Sequence, residues 1–371
     1  MKNPRKFGVT TPQTYNGFSN VKSKKRLNMN KCESTISSTS LEVNTSSAYQ
    51  YLSDVSKNDN NWDIQKFYSQ RQASLYAEVR EFEKYSDRVD KCCGTLGFSF
   101  VPDEVTGEIR LKLQQAFFCH VRTCSQCESR RSFVNKLRFI NRIPLLASDY
   151  PKARWLFLTL THKTCSVTDL KVELQLMSKA WKRLTERNLF KDVIGWTRAV
   201  EVTRSKSDET HAHPHYHCLL MVKPGYFSKN YVSQDEWALA WQSAMKLDYL
   251  PVCDVRACRD KKGGKIVSSS DVDSMKSSVA EAIKYTVKTS DLLKEDEFEN
   301  ADWFLEYTRQ IKGQKLLTSG GVLKGIFKDS FTDDELIHAE NDETEKQQKV
   351  EDIAFFGYSK EKRRYRRKLK D

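Results

Sequence analysis

The sequence predicts an α+β fold, with strands paired in an antiparallel hairpin, helical stretches on either side and a small cysteine-rich module ahead of them. Three observations lead there. Runs of strand composition, WLFLTLTH (155–162), WTRAVEVT (196–203) and HAHPHYHCLLMV (211–222), are bounded by turn signals, and SKSDET joins the last two as a hairpin. Apolar residues recur at helical spacing near 64–89 and from about Ser274 to Leu293. Cys119, Cys124 and Cys127 form a Cys-x4-Cys-x2-Cys cluster.

Taken in order, residues 1–60 are rich in Asn, Ser, Thr and Lys and have no apolar period, which predicts a disordered basic arm. Residues 61–145 hold one amphipathic helix (Phe67, Leu75, Tyr76, Val79, Phe82) leading into Cys92 and Cys93, then the cysteine module. Residues 146–328 carry the strand runs, a further strand at YLPVCDVRAC, a Gly-Gly loop and the second helix. Residues 329–371 turn acidic and then basic, ending in KEKRRYRRKLKD, and predict a flexible tail.

A chain of 371 residues with 39% apolar content has room for a core, and a net charge of +13 points to an acidic partner. Nucleic acid ranks ahead of a membrane surface, because no lipidation signal or amphipathic stretch accompanies the charge. The N-terminus lacks an apolar leader, and no run approaches the roughly 18 apolar residues of a membrane span. Ten cysteines without a leader fit metal binding and buried thiols in a reducing cytoplasm better than a disulfide framework.

Four of the seven histidines, His211, His213, His215 and His217, fall within seven residues of one predicted strand. Residues two apart in a strand share a face roughly 6.6 Å apart, so His215 and His217 can grip one divalent ion; a polar strand face is the plainer alternative. Counting back through the SKSDET turn sets Glu201 opposite His215 to within about a residue, as a third ligand or an exposed strand glutamate. On the second helix Glu281, Tyr285 and Lys288 share one face, and Val279, Ile283 and Val287 the other. A free tyrosine of pKa about 10 is a poor nucleophile at neutral pH, so a nearby cation such as Lys288 is chemically useful.

The cysteine cluster needs a fourth ligand for tetrahedral Zn2+, and Cys92, Cys93 or His120 offers one. Four protein ligands would make that ion structural. Arg130, Arg131 and Lys136 beside it, and Arg363, Arg364, Arg366 and Arg367 in the tail, are candidate phosphate contacts.

FLTLTH (157–162), HPHYHCLL (213–220) and EAIKYTVK (281–288), in that order, resemble the three motifs of plasmid rolling-circle replication initiators of the HUH endonuclease superfamily. GQKLLTSGGVLK (313–324) is similar to the segment that follows the tyrosine helix in that family, so the likeness runs from about Cys92 to Asp329. It implies a central antiparallel sheet carrying the histidines, with the tyrosine on a helix laid against it. It also implies Cys93 as the first zinc ligand, Mg2+ or Mn2+ at His215 and His217, and Tyr285 as the nucleophile that forms a 5′-phosphotyrosine and releases a 3′-hydroxyl primer.

Glu281 stands where some relatives carry a second tyrosine, which resembles the single-tyrosine type, with a glutamate that activates water to end the cycle. The tyrosine follows the histidines by about seventy residues, an order that favours an initiator or a transposase over a mobilisation relaxase. The implied partners are plasmid origin DNA and, in the bacterial cytoplasm, host helicase and polymerase. A non-haem iron oxygenase and a non-catalytic zinc-dependent DNA-binding protein are the readings from other classes.

Overall fold

The computed structural model describes residues 50–55, 60–102, 109–205, 207–260, 264–284, 301–339 and 352–368, with the backbone alone at 60, 102, 109 and 280–284. Most of the expected basic arm, Tyr285 and Lys288 lie outside the described residues. After the short α1 (Leu52–Val55), the expected single helix is two, α2 (Asn60–Ala77) and α3 (Glu83–Lys91), separated by a 3-10 turn at Arg80–Phe82. Val79 takes extended backbone there (φ −127°, ψ 122°), which ends the helical period.

The buried face of α2 is largely polar. Asp63, Lys66, Ser69 and Gln72 lie on it with Ala73 and Tyr76. The Gln72 side chain donates to Thr123 O (2.8 Å) and accepts from Ser125 N (3.0 Å), so this face grips the segment between two cysteines.

β1 (Thr95–Pro102) and β2 (Ile109–Ala116) form a hairpin, and β9 (Ala354–Ser359) and β10 (Arg364–Arg367) join it in the order β10-β9-β1-β2. The tail expected to be flexible is therefore, at 354–367, half of a sheet. Phe356 and Tyr365 alternate inward and are fully buried, while Arg364 faces out to Ser53, Asp54 and the Tyr51 ring. Alternation outweighs charge in this segment: every second residue is aromatic or small enough to cover the module beneath.

The second sheet has six strands: β3 (Arg154–Thr161), β4 (Cys165–Ser166), β5 (Val193–Arg204), β6 (His211–Val222), β7 (Cys253–Ala257) and β8 (Leu317–Gly321). Its order is β7-β3-β6-β5-β8, all pairs antiparallel, with β4 on one end of β6. At the edge, a Cβ on Gly320 would stand 2.4 Å from the Trp196 indole, so only glycine lets β8 approach β5.

The two faces of this sheet differ. Leu156, Leu158 and Leu160 of β3, with Tyr216, Cys218 and Leu220 of β6, pack beneath α5 (Leu170–Thr185) and α6 (Gln234–Met245). Leu170, Leu174, Met177, Trp181 and Leu184 recur every three to four residues, the apolar stripe that makes α5 a helix of this core. Ser233 and Glu236 close a capping box at the start of α6.

On the opposite face Trp155, Leu219 and Met221 lie under Phe139, Ile143 and Leu146 of α4 (Ser125–Asp149) and Met275 and Val279 of α7 (Val272–Lys284). Helix α4 starts among the cysteines and ends on the second sheet, so the boundary expected at 145/146 falls inside it and residues 46–371 form one compact unit. Two later helices, α8 (Ala301–Ile311) and α9 (Asp333–Ile337), complete the described elements. Among the described residues, no helix is long and apolar enough to cross a membrane.

Candidate metal centres and the tyrosine helix

The β5–β6 hairpin sets Glu201 directly across from His215, and Ala199 across from His217. Antiparallel partners point to one face, so the carboxylate and both imidazoles share the face that α4 and α7 cover further along. Glu201 Oε2 lies 3.1 Å from His215 Nε2 and 2.6 Å from His217 Nε2. These three donor atoms all fall within 4.8 Å of one another.

Glu201 is 7% exposed. Burial would raise its carboxyl pKa, but the hydrogen bonds and charges of His215 and His217 outweigh it and hold the group at about 2, ionised at neutral pH. A carboxylate and two imidazoles are a donor set that suits Mg2+, Mn2+ and other divalent ions. His215 Nδ1 is buried with no hydrogen-bond partner, so Nε2 is the only ring nitrogen of His215 placed to act.

Neighbouring residues steer the site. Thr159, opposite His217 on β3, brings Oγ1 to 3.4 Å from His217 Nδ1 and leaves Nε2 facing Glu201. His213 stacks edge-on to His215 at 5.0 Å, and burial first and then the His215 charge push its pKa down, against a hydrogen bond to the His162 backbone. His162, the last residue of the FLTLTH run, is buried and held between Glu173 (2.8 Å) and Tyr249 (3.0 Å). Sequence reading singled out neither Thr159 nor His162, although both sit in a run it quoted; the strand pairing that gives them partners is not local information. His211 pairs with Asp208 at 2.9 Å, away from the donor trio.

Helix α7 carries residues 281–284 of the EAIKYTVK run, and its Met275 and Val279 pack on the same sheet face as the histidines. The backbone of Glu281 is part of that helix, whereas Tyr285 and Lys288 lie outside the described residues.

A second group unites Cys92, Cys119, Cys124 and Cys127, whose sulfurs all lie within 4.8 Å of one another. Sγ of Cys127 is 3.6 Å from both Cys92 and Cys119. Tetrahedral zinc with Zn–S near 2.3 Å has sulfur–sulfur edges of about 3.8 Å, so the donors fit a tetrathiolate ion. The fourth thiol is Cys92, not the expected Cys93. Cys93 takes a positive φ of 51°, its N–H donates to Phe117 O at 2.7 Å, and its carbonyl accepts from the Tyr365 hydroxyl; its sulfur lies 3.9 Å from Cys92 Sγ but is not one of the four mutually close donors. His120 is also outside it and pairs with Asp333 at 2.7 Å.

The expected phosphate contacts at Arg130 and Arg131 are corrected as well. Both are buried: Arg130 donates to the carbonyls of Leu336 (2.5 Å) and Ile337 (3.1 Å), and Arg131 to Val121 O, with Glu128 at 3.5 Å. They tie α4 to its neighbours. Arg364 is engaged by Asp54 and Ser53, and Arg363 stacks over the Phe67 ring at 4.7 Å.

A family model described as a replication protein, Rep_1, matches residues 110–366. A Protein rep of Lactiplantibacillus plantarum is 34% identical over 296 residues, covering 77% of this chain and 88% of the relative. Another from Streptococcus pneumoniae serotype 2 is 30% identical over 311 residues, 82% of this chain and 91% of that protein. A third, from Bacillus amyloliquefaciens, is 35% identical over 279 residues, 70% and 80% respectively. No solved structure matches the chain. With a family model matching well over half of the chain and relatives aligned over most of their length, the chain belongs to the replication-protein family Rep_1.

Proposed function

We propose that this protein initiates plasmid replication by nicking one strand of origin DNA, with Tyr285 as nucleophile and a divalent ion held by Glu201, His215 and His217. The observation that carries this reading is the convergence of those three donors on the sheet face against which α7, the helix leading to Tyr285, is packed. A bound Mg2+ or Mn2+ supplies Lewis-acid polarisation of the scissile phosphate. The phenolic oxygen of Tyr285 attacks phosphorus, the bond to the 3′ oxygen breaks, and that oxygen leaves as the 3′-hydroxyl primer while the 5′-phosphate stays on the tyrosine.

Lys288 stabilises the phenolate, and Glu281, four residues before Tyr285 in the sequence, takes the proton from the water that ends the cycle. Cys92, Cys119, Cys124 and Cys127 hold a structural Zn2+. Partners follow from the role: origin DNA first, then host helicase and polymerase in the bacterial cytoplasm. Two imidazoles and a carboxylate also serve non-haem iron oxygenases; membership in a replication-protein family gives that reading no support.

The test is nicking of a supercoiled plasmid carrying the origin, with Mg2+ or Mn2+. Wild-type protein yields open circles with protein attached and a nucleotide adduct on Tyr285 by mass spectrometry. Tyr285→Phe abolishes both and keeps origin binding. A covalent complex that persists in this variant moves the nucleophile elsewhere.

A further inference from the structure

Lys66 is 1% exposed in the middle of α2. Its Nζ donates to Asp90 O and Cys92 O, both at 2.6 Å, and among the described residues no carboxylate pairs with it. A buried ammonium with only neutral carbonyls as partners is expensive, because carbonyl dipoles do not return what water and a counter-anion supply. Asp63, one turn earlier, faces another way: its Oδ1 accepts from Tyr365 N (2.8 Å), and its Oδ2, buried without a hydrogen-bond partner, has Arg364 Nε as its ion-pair neighbour at 4.0 Å.

The opposite imbalance lies next to it. Cys92, whose carbonyl Lys66 holds, is one of four buried thiols, and four thiolates around one divalent ion carry two negative charges in excess. Arg88 donates to the carbonyl of Cys119, but from an exposed position where water screens it. The backbone N–H of Cys119 donates to Cys92 Sγ at 3.4 Å, a further contact that favours negative sulfur.

We infer that Lys66 is the counter-charge of a dianionic tetrathiolate metal centre at Cys92, Cys119, Cys124 and Cys127. The inference rests on the reading of those thiols as a metal site. Each half of the pair accounts for what is costly in the other: the buried cation gains an anion, and the buried anion gains a cation held on the carbonyl of one of its own thiol residues. Lys66 is thus a positioning residue, touching no metal itself.

A simpler role competes with it. The carbonyls of Asp90 and Cys92 close the C-terminal end of α3, where a lysine is favourable without any metal. Lys66→Gln separates the two, because the amide keeps two N–H donors for the carbonyls and removes the charge. With full-length protein, the Zn2+ dissociation constant is measured by competition with a chromophoric chelator, and the unfolding midpoint is measured in zinc-loaded and zinc-stripped forms.

The expected result for Lys66→Gln is one ion per chain bound about 10–100-fold more weakly, the range for changes just outside a ligand shell, with the midpoint lowered mainly in the loaded form. Lys66→Arg, which keeps the charge, retains affinity near wild type. Wild-type affinity in Lys66→Gln, or an equal loss of midpoint with and without zinc, overturns the counter-charge role. Wild-type protein that binds no ion at these thiols overturns the metal-site reading itself, and does so before any Lys66 variant is compared.

Discussion

A single oxygen, Glu201 Oε2, meets both His215 and His217, so the carboxylate's charge matters more than its shape. Glu201→Gln keeps the volume and removes the charge. Metal-dependent nicking should fall at least 10-fold at limiting Mn2+ and recover in part at high Mn2+, since a neutral amide oxygen is a weaker ligand. Equal activity across a Mn2+ titration of both proteins would remove Glu201 from the site. The Glu201–His215 pairing was legible because a hairpin of known turn length fixes its register. The choice between Cys92 and Cys93 was not, since it depends on Phe117 and on Tyr365, which lies 272 residues further along the chain. The burial of Arg130 was hidden for the same reason: its acceptors, Leu336 and Ile337, are remote in sequence.

At the scale of elements, hairpin β5–β6, strand β7 and helix α7 answer to local pattern, and their alternation or spacing announces them. Helix α2 was harder to read, because its buried side is Asp63, Lys66, Ser69 and Gln72, residues that resemble a solvated face until the cysteine segment is laid on them. The C-terminal hairpin misleads through its charge. Tyr365 is fully buried, gives its N–H to Asp63 Oδ1, and its hydroxyl donates to Cys93 O. Tyr365→Ala should therefore cost about 3–5 kcal/mol, the usual range for emptying a buried aromatic site. Denaturant titration measures it. Unchanged stability with weakened DNA binding would return this segment to the role of a basic tail.

Across the whole molecule, one helix links the two candidate metal centres. α4 has Cys124 at its N-cap and Cys127 in its first turn, and roughly 20–30 Å further along the helix its Phe139, Ile143 and Leu146 pack on the sheet face shared by α7 and the histidines. Cys124→Ser, or stripping zinc with a strong chelator, should loosen that N-terminus and with it the seat of α7. The expected outcome is loss of the ion, a lower unfolding midpoint, and slower nicking even when Mn2+ saturates the histidine site. Nicking at the wild-type rate by zinc-free protein would show that the two centres act independently.

The first module is closed by the last strands, and this orders its birth. Thr95 of β1 pairs with Gly357 of β9, and at 5–20 residues per second the partner strand leaves the ribosome roughly 15–50 s after the first. Strands β3 to β8, which make up the second sheet, emerge within that interval, so the β5–β6 hairpin can form while β1–β2 still presents an open edge. During the wait the four thiols are already on the nascent chain, and capture of an ion there would hold α3 and α4 together until β9 arrives. Synthesis interrupted before Ala354 would therefore release a polypeptide with its histidines assembled and its first sheet unclosed, a substrate for quality-control proteases rather than a competent replication protein.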